Sequence, residues 1–181
     1  MDNSIPKGER PQTPFQPPKK KKGWFKNILL FFLFAFMVIQ FFQPDKNNND
    51  VVVSNNISSI VALPDEVNKL LHVSCYDCHS NNTEYPWYSN IQPIGWWQAS
   101  HIKDGKRELN FNEFATYTTK KQLKKLEEIK ESQKDKWMPI DSYIWIHGNA
   151  RLSDEQRQLI FNWADSAAKT ISSLSVKEES K

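Results

Sequence analysis

The chain has two cysteines, and they stand three positions apart in the string Val73-Ser74-Cys75-Tyr76-Asp77-Cys78-His79. This pair restricts the fold more than any other feature. A structural zinc site takes four Cys or His ligands, usually as two spaced pairs, and no second pair exists. A disulfide across so short a loop would remove little chain entropy. A redox dithiol of the thioredoxin type belongs in a βαβ pattern, and no convincing alternating strand is present. Two thiols on one side of a helical turn, with a histidine directly after the second, match the c-type haem attachment signature. Both sulfurs then reach the vinyl groups of one haem, and the imidazole of His79 lies under the ring to ligate iron. Histidine occurs only four times in 181 residues, so its place after Cys78 carries weight.

The second axial position points to Met138. Met1 and Met37 lie at the start and in an apolar run, which leaves Met138 as the methionine available to a folded domain. Pro139 follows it and restricts the local backbone. A thioether opposite histidine raises the reduction potential, although methionine also serves simply as a filler of core gaps. His72, His101 and His147 are the competing ligands, and each reads more readily as a structural or surface histidine. Trp87, Trp96, Trp97, Trp137, Trp145 and Trp163 are many indoles for a small domain. They suit covering a flat apolar cofactor or building an ordinary aromatic core. Asn81, Tyr85 and Tyr88 are conceivable propionate partners.

Around this site the chain changes character several times. Residues 1–23 are rich in proline and end in Lys19 to Lys22, a composition that cannot offset its ordering entropy, so a disordered basic cytoplasmic tail is expected. Residues 24–43 are almost wholly apolar. The uncharged run from Asn27 to Gln43 is at the short end of what spans a bilayer. With four lysines before it, this run predicts an uncleaved transmembrane anchor, the N-terminus cytoplasmic. No small-x-small cleavage site follows. Residues 44–59, rich in Asn, Ser and Asp, read as a polar linker. A domain of residues 60–171 and a disordered tail of residues 172–181 complete the chain.

Within that domain the signals are helical. Pro64 with Asp65 and Glu66 opens a helix whose apolar face carries Val67, Leu70 and Leu71. Ile94 to Lys103 suits a short helix stopping at Gly105, and Asn110 with Glu113 resembles a capping box for a short helix carrying Phe114. Thr119 to Lys136 reads as a charged helix with Leu123, Leu126 and Ile129 on one stripe and a solvated opposite face. Ser153 with Gln156 caps a helix burying Leu159, Ile160 and Trp163. The expected fold is therefore all-α, a small cytochrome c-like helical domain around one haem, preceded by a single transmembrane helix. The charge argues against nucleic acid as a partner: up to Phe42 there are seven basic and two acidic residues, and beyond it 17 against 19, so the domain has no basic excess.

These motifs together resemble the bacterial haem-binding domain family, small c-type cytochrome-like domains of Bacteroidetes-type bacteria. The resemblance covers about residues 60–168. It is carried by Cys75-Tyr-Asp-Cys78-His79-Ser80-Asn81, Thr83-Glu-Tyr85-Pro86-Trp87-Tyr88, Gln92-Pro93-Ile-Gly-Trp96-Trp97 with His101, Leu109-Asn-Phe111, Met138-Pro139 with Tyr143 and His147, and Leu152 to Trp163. It implies haem at Cys75, Cys78 and His79. The second proline usual after Met-Pro is Ile140 here, a departure in the loop that holds Met138.

The expectation is a membrane-anchored monohaem cytochrome c of a bacterial inner membrane, with its haem domain periplasmic and its partners redox proteins of the membrane or periplasm. No nucleophile–base pair or second metal cluster is visible, which favours an electron carrier over an enzyme. The alternatives are a haem-based gas or redox sensor, or a peroxidase-like protein with an open iron site and His101 or His147 as the acid–base group.

Overall fold

In the computed structural model the described residues are 22–179, and they fall into two compact units that divide between Val38 and Ile39. The basic tail expected over residues 1–23 lies outside them except for Lys22 and Gly23, which begin the first helix. Among the described residues no strand forms, and a single isolated bridge joins Asn48 and Asn82. The all-α expectation holds.

The first unit is represented by α1, Lys22–Ile39, of 18 residues. Here the expected transmembrane helix is corrected: no described helix is long and apolar enough to cross a membrane. Two features shorten the apolar run. At the front, Lys22, Gly23, Lys26 and Asn27 occupy the opening turns, and uninterrupted apolar sequence starts only at Ile28. At the back, the helix stops at Ile39, and the next residues are engaged by side-chain hydrogen bonds. Gln40 and Gln92 exchange two, Gln40 Nε2 to the Gln92 carbonyl at 3.2 Å and Gln92 N–H to Gln40 Oε1 at 2.8 Å. Gln92 Nε2 donates to Gln43 Oε1 at 2.9 Å, and the Trp96 indole N–H donates to the Phe42 carbonyl at 2.6 Å. Beyond Ile39 the chain turns into the second unit, with the Phe42 carbonyl taken by Trp96 and Pro44 offering no N–H. The single-pass inner-membrane placement, with a periplasmic domain, loses its support with the span.

The second unit contains α2, Asp65–Ser74; α3, Tyr76–His79; α4, Ile94–Glu108; α5, Thr119–Lys134; α6, Asp141–Ile144; and α7, Asp154–Glu179. Its centre is the α5–α7 pair. Lys130 pairs with Asp165, Arg157 reaches Gln133, and Lys136 pairs with Asp154, so the two helices run antiparallel. Leu126 and Ile129 of α5 pack with Ile160, Trp163, Ala164, Ala167 and Ile171 of α7. Val67 and Leu71 of α2 join this core, together with Phe111 and Phe114 from the 3₁₀ turn Phe111–Thr116. The Ser153–Gln156 box forms reciprocally, at 2.8 and 3.2 Å.

Several boundaries move. Segment 44–59, expected as a linker, is folded onto the domain: Asn47 is buried and Ile57 fully so. Helix α4 passes through Gly105 rather than ending there. A Cβ at Gly105 would meet the Cys78 carbonyl at 2.7 Å, so the glycine serves close approach and not a stop. Helix α7 continues through residues 172–179, expected as a disordered tail, because a helix adds one hydrogen bond per residue at little further cost beyond its last buried turn at Ile171. Asn110 caps Asn112 at 3.0 Å, while Glu113 accepts from Asn81 and Asn55 instead of closing a box.

Candidate functional site

Helix α2 delivers the chain to Cys75, and a tight turn follows in which Cys78 N–H and His79 N–H both donate to the Cys75 carbonyl, at 3.1 and 2.9 Å. Tyr76 faces the other way and stacks on Phe111 at 5.0 Å between ring centroids. That stack and the Gly105 contact force Cys75, Cys78 and His79 toward a cavity of about 460 Å³. Leu71, Leu109, Phe111, Ile129, Ile140 and Ile160 make much of its wall apolar. The volume lies within the range of roughly 300–1,000 Å³ that ligand sites occupy.

Cys75, Cys78, His79 and Met138 all line this one cavity. Both thiols are free. Burial pushes the Cys75 thiol up to about 12, with Cys78 adding to the shift, and burial followed by Asp77 pushes Cys78 up to about 11. Both therefore stand as neutral thiols at pH 7. His79 is held below its ordinary value, chiefly by burial, against the opposing pull of the Leu109 and Gly105 carbonyls. Its Nδ1 lies 3.0 Å from the Leu109 carbonyl. A carbonyl can only accept, so the proton resides on Nδ1, and Nε2 keeps the lone pair that a metal needs.

Asp77, between the cysteines, is itself fixed. Its Oδ1 accepts from Glu84 N–H at 3.0 Å and its Oδ2 from the Tyr143 hydroxyl at 2.7 Å, while Thr83 Oγ1 donates to its carbonyl at 2.6 Å. Tyr143 lines the cavity and its phenol is raised, first by burial and then by Asp77. Met138 lies in the loop between α5 and α6, where Lys136 holds a positive φ of 59° and the Arg157 guanidinium donates to the Met138 carbonyl.

Of the competing histidines, His101 lines the cavity, with Nδ1 tied to the Trp97 carbonyl at 2.9 Å. His72 and His147 do not line it. His72 sits over Tyr76 at 4.0 Å, and His147 stacks on Tyr143 at 4.2 Å with Nε2 3.1 Å from the Tyr88 hydroxyl. The expected cover of indoles is reduced to Trp137. Trp163 donates to the Ala62 carbonyl inside the core, and Trp87 and Trp145 are exposed. Asn81, Tyr85 and Tyr88, considered for propionates, are absent from the wall and have protein partners.

Several groups at or beside the wall escape sequence reading. Lys125 is buried, its ammonium 2.6 Å from Glu128 and 3.3 Å from Glu108, all three lining the cavity. Their signal is positional: Gln122, Lys125, Leu126, Ile129, Ser132 and Gln133 fall on one buried stripe of a helix taken as charged and solvated. The Leu109 carbonyl and Arg157 carry no sequence signal, because each acts only through a chain-distant approach.

Among the described residues no cluster of three or more His, Cys, Asp or Glu side chains is set to hold a bare metal ion. An all-helical domain enclosing an apolar cavity, walled by a thiol pair and a tautomer-fixed imidazole, defines a cofactor-binding protein. The family model described as a haem-binding domain matches residues 34–166, so the chain belongs to that family, and it binds haem. No curated protein and no solved structure matches the chain. The residues present fit the group: two free thiols, one neutral imidazole with its outer nitrogen available, and a thioether share an apolar enclosure.

Proposed function

We propose that the protein carries one haem bound covalently through Cys75 and Cys78, ligated by His79 and Met138, and serves as a one-electron carrier for redox partner proteins. The observation that carries this reading is the convergence of those four side chains on one cavity, with His79 locked in the tautomer that leaves Nε2 free. Haem bound there supplies one-electron chemistry. Cys75 and Cys78 would hold the group through their sulfurs as thioethers, and His79 and Met138 would hold its iron. Because both thiols are neutral at pH 7, the attachment calls on a maturation apparatus to activate them.

The residues around the site act by holding. Leu109 and Gly105 orient the imidazole, Asp77 and Tyr143 clamp the turn between the cysteines, and Arg157 anchors the backbone of Met138. The apolar part of the wall would cover the group, and His79 and Met138 together holding the iron would favour electron transfer over ligand exchange.

The test is the visible spectrum of the protein co-expressed with a cytochrome c maturation system, reduced, with and without carbon monoxide. A low-spin spectrum indifferent to carbon monoxide, with haem surviving acid–acetone extraction, is expected. A carbon monoxide shift would instead favour the sensor or peroxidase-like reading, for which His101 on the cavity wall is the available acid–base group. Haem lost on extraction would remove the covalent claim.

A further inference from the structure

The peptide group joining Leu109 to Asn110 is held at both ends. Its carbonyl accepts from His79 Nδ1 at 3.0 Å, and its N–H donates to the Tyr117 hydroxyl oxygen, also at 3.0 Å. A peptide unit is planar, so a rotation that releases one of these bonds disturbs the other. The unit is also polarisable: donation by the N–H draws electron density toward the carbonyl oxygen and strengthens it as an acceptor.

The phenol is placed for this task by its own packing. Tyr117 closes the Phe111–Thr116 turn, its backbone N–H bonded to the Phe114 carbonyl at 3.2 Å. Its ring lies against Phe114 at 5.6 Å, and the Lys121 ammonium stands 3.6 Å from the ring centroid. On the other side, Asn110 Nδ2 donates to Asn81 Oδ1 at 2.7 Å, and Asn81 N–H donates to Asn112 Oδ1 at 2.8 Å. The asparagine cluster fixes where the Leu109–Asn110 segment runs, and the tyrosine fixes how its peptide plane is tilted.

We infer that Tyr117 is a positioning residue for the haem ligand: through one peptide plane it aims and strengthens the carbonyl that holds His79. This rests on His79 being the axial ligand proposed above. A stronger bond at Nδ1 gives the imidazole more anionic character and makes it a better donor, which favours the ferric state. Loss of the phenol oxygen therefore raises the reduction potential.

The experiment compares haem-loaded wild type, Tyr117→Phe and Thr118→Ala. The phenylalanine keeps the ring on Phe114 and removes only the acceptor. Thr118→Ala removes the side-chain cap of α5 at the adjacent position and leaves the acceptor in place, so it reports generic loosening. Potentiometric titration of Tyr117→Phe is expected to show about a two-fold larger ferrous-to-ferric ratio at a fixed potential. In the diamagnetic ferrous state, NMR is expected to show faster exchange of the His79 Nδ1 proton. Thr118→Ala should match wild type in both. Haem-loaded Tyr117→Phe with unchanged potential and unchanged Nδ1 exchange overturns this inference alone, and equal shifts in both variants overturn it as well. Protein that fails to retain haem through acid–acetone extraction even as wild type overturns the proposed attachment and this inference together.

Discussion

Two stretches of the cavity wall, Cys75–His79 and the loop around Met138, are built on different terms. The attachment turn is held from many directions: two backbone bonds to the Cys75 carbonyl, three bonds to Asp77, the Tyr76–Phe111 stack, the Leu109 carbonyl on His79 and the contact with Gly105. The Met138 loop is held by fewer contacts: the Arg157 hydrogen bond, the Lys136–Asp154 ion pair, and a backbone turn through the positive φ of Lys136, a conformation uncommon for a residue with a side chain. Removing one contact from the first stretch leaves several others. Removing one from the second leaves few. The contrast suits a site where one attachment is permanent and the opposite ligand can be tuned.

The comparison breaks most completely if the thiols are dispensable. Cys75→Ser combined with Cys78→Ser is expected to abolish acid–acetone-resistant haem entirely, and a haem-stained band on a denaturing gel would contradict it. Met138→Ala should keep the covalent haem yet lower the reduction potential and make the ferrous spectrum respond to carbon monoxide. An unchanged spectrum would remove Met138 from the coordination shell.

Gly105→Ala drives a methyl group into the Cys78 carbonyl and Cβ, at 2.7 and 3.0 Å. Such overpacking costs about 1–3 kcal/mol, read as a lower urea midpoint. Arg157→Met deprives the Met138 carbonyl of its donor and should cost about 1–2 kcal/mol, while the amount of covalent haem stays at the wild-type level. If both variants weaken haem attachment equally, the two stretches are one cooperative unit and the contrast fails.

The smallest effect expected is that of pH. Glu108, Asp154 and Asp165 are held below their ordinary values by hydrogen bonds to Lys125, to Lys136, and to Lys169 and Lys130 respectively. A depressed carboxylate stabilises the fold above its unfolded pKa, and that contribution fades as pH falls through the folded value. In the haem-free protein His79, held below its ordinary value by burial, stays unprotonated while the unfolded chain takes up a proton below about 6.5, so the melting temperature should begin to decline as pH falls through that value, and the carboxylates add a further decline below their ordinary range near 4. These carboxylates are solvent-exposed, so the decline from them is shallow and flattens further in salt. A melting temperature unchanged down to pH 5 would show that the buried histidine does not contribute.

What could be read from the sequence is what lies contiguous in it. Cys75, Cys78 and His79 are neighbours because one turn must present all three, so their chemistry shows as a string. Met138 stood out by scarcity and reached the same cavity. The first-turn acids Asp65 and Glu66 after Pro64 and the Ser153–Gln156 capping box placed helices correctly, since both signals act within one turn. The long apolar run misled because hydropathy records composition and not where a helix is interrupted. Its C-terminal end at Ile39 runs into a stretch whose side chains bond residues about fifty positions away. Lys125 was hidden by its neighbours' charge, although its place on the Leu126–Ile129 stripe marks it as buried. The indoles misdirected for a related reason: an aromatic ring suits a core, a surface or a cofactor wall equally well, and only the packing of distant segments chooses.

The raised thiols have a bearing on how long the empty protein stays competent. With a pKa of about 12 for Cys75, roughly one molecule in a hundred thousand carries that thiolate at neutral pH. Oxidation and exchange proceed through the thiolate. The same burial slows their loss to a disulfide, giving the apoprotein a long waiting time when oxidants are present.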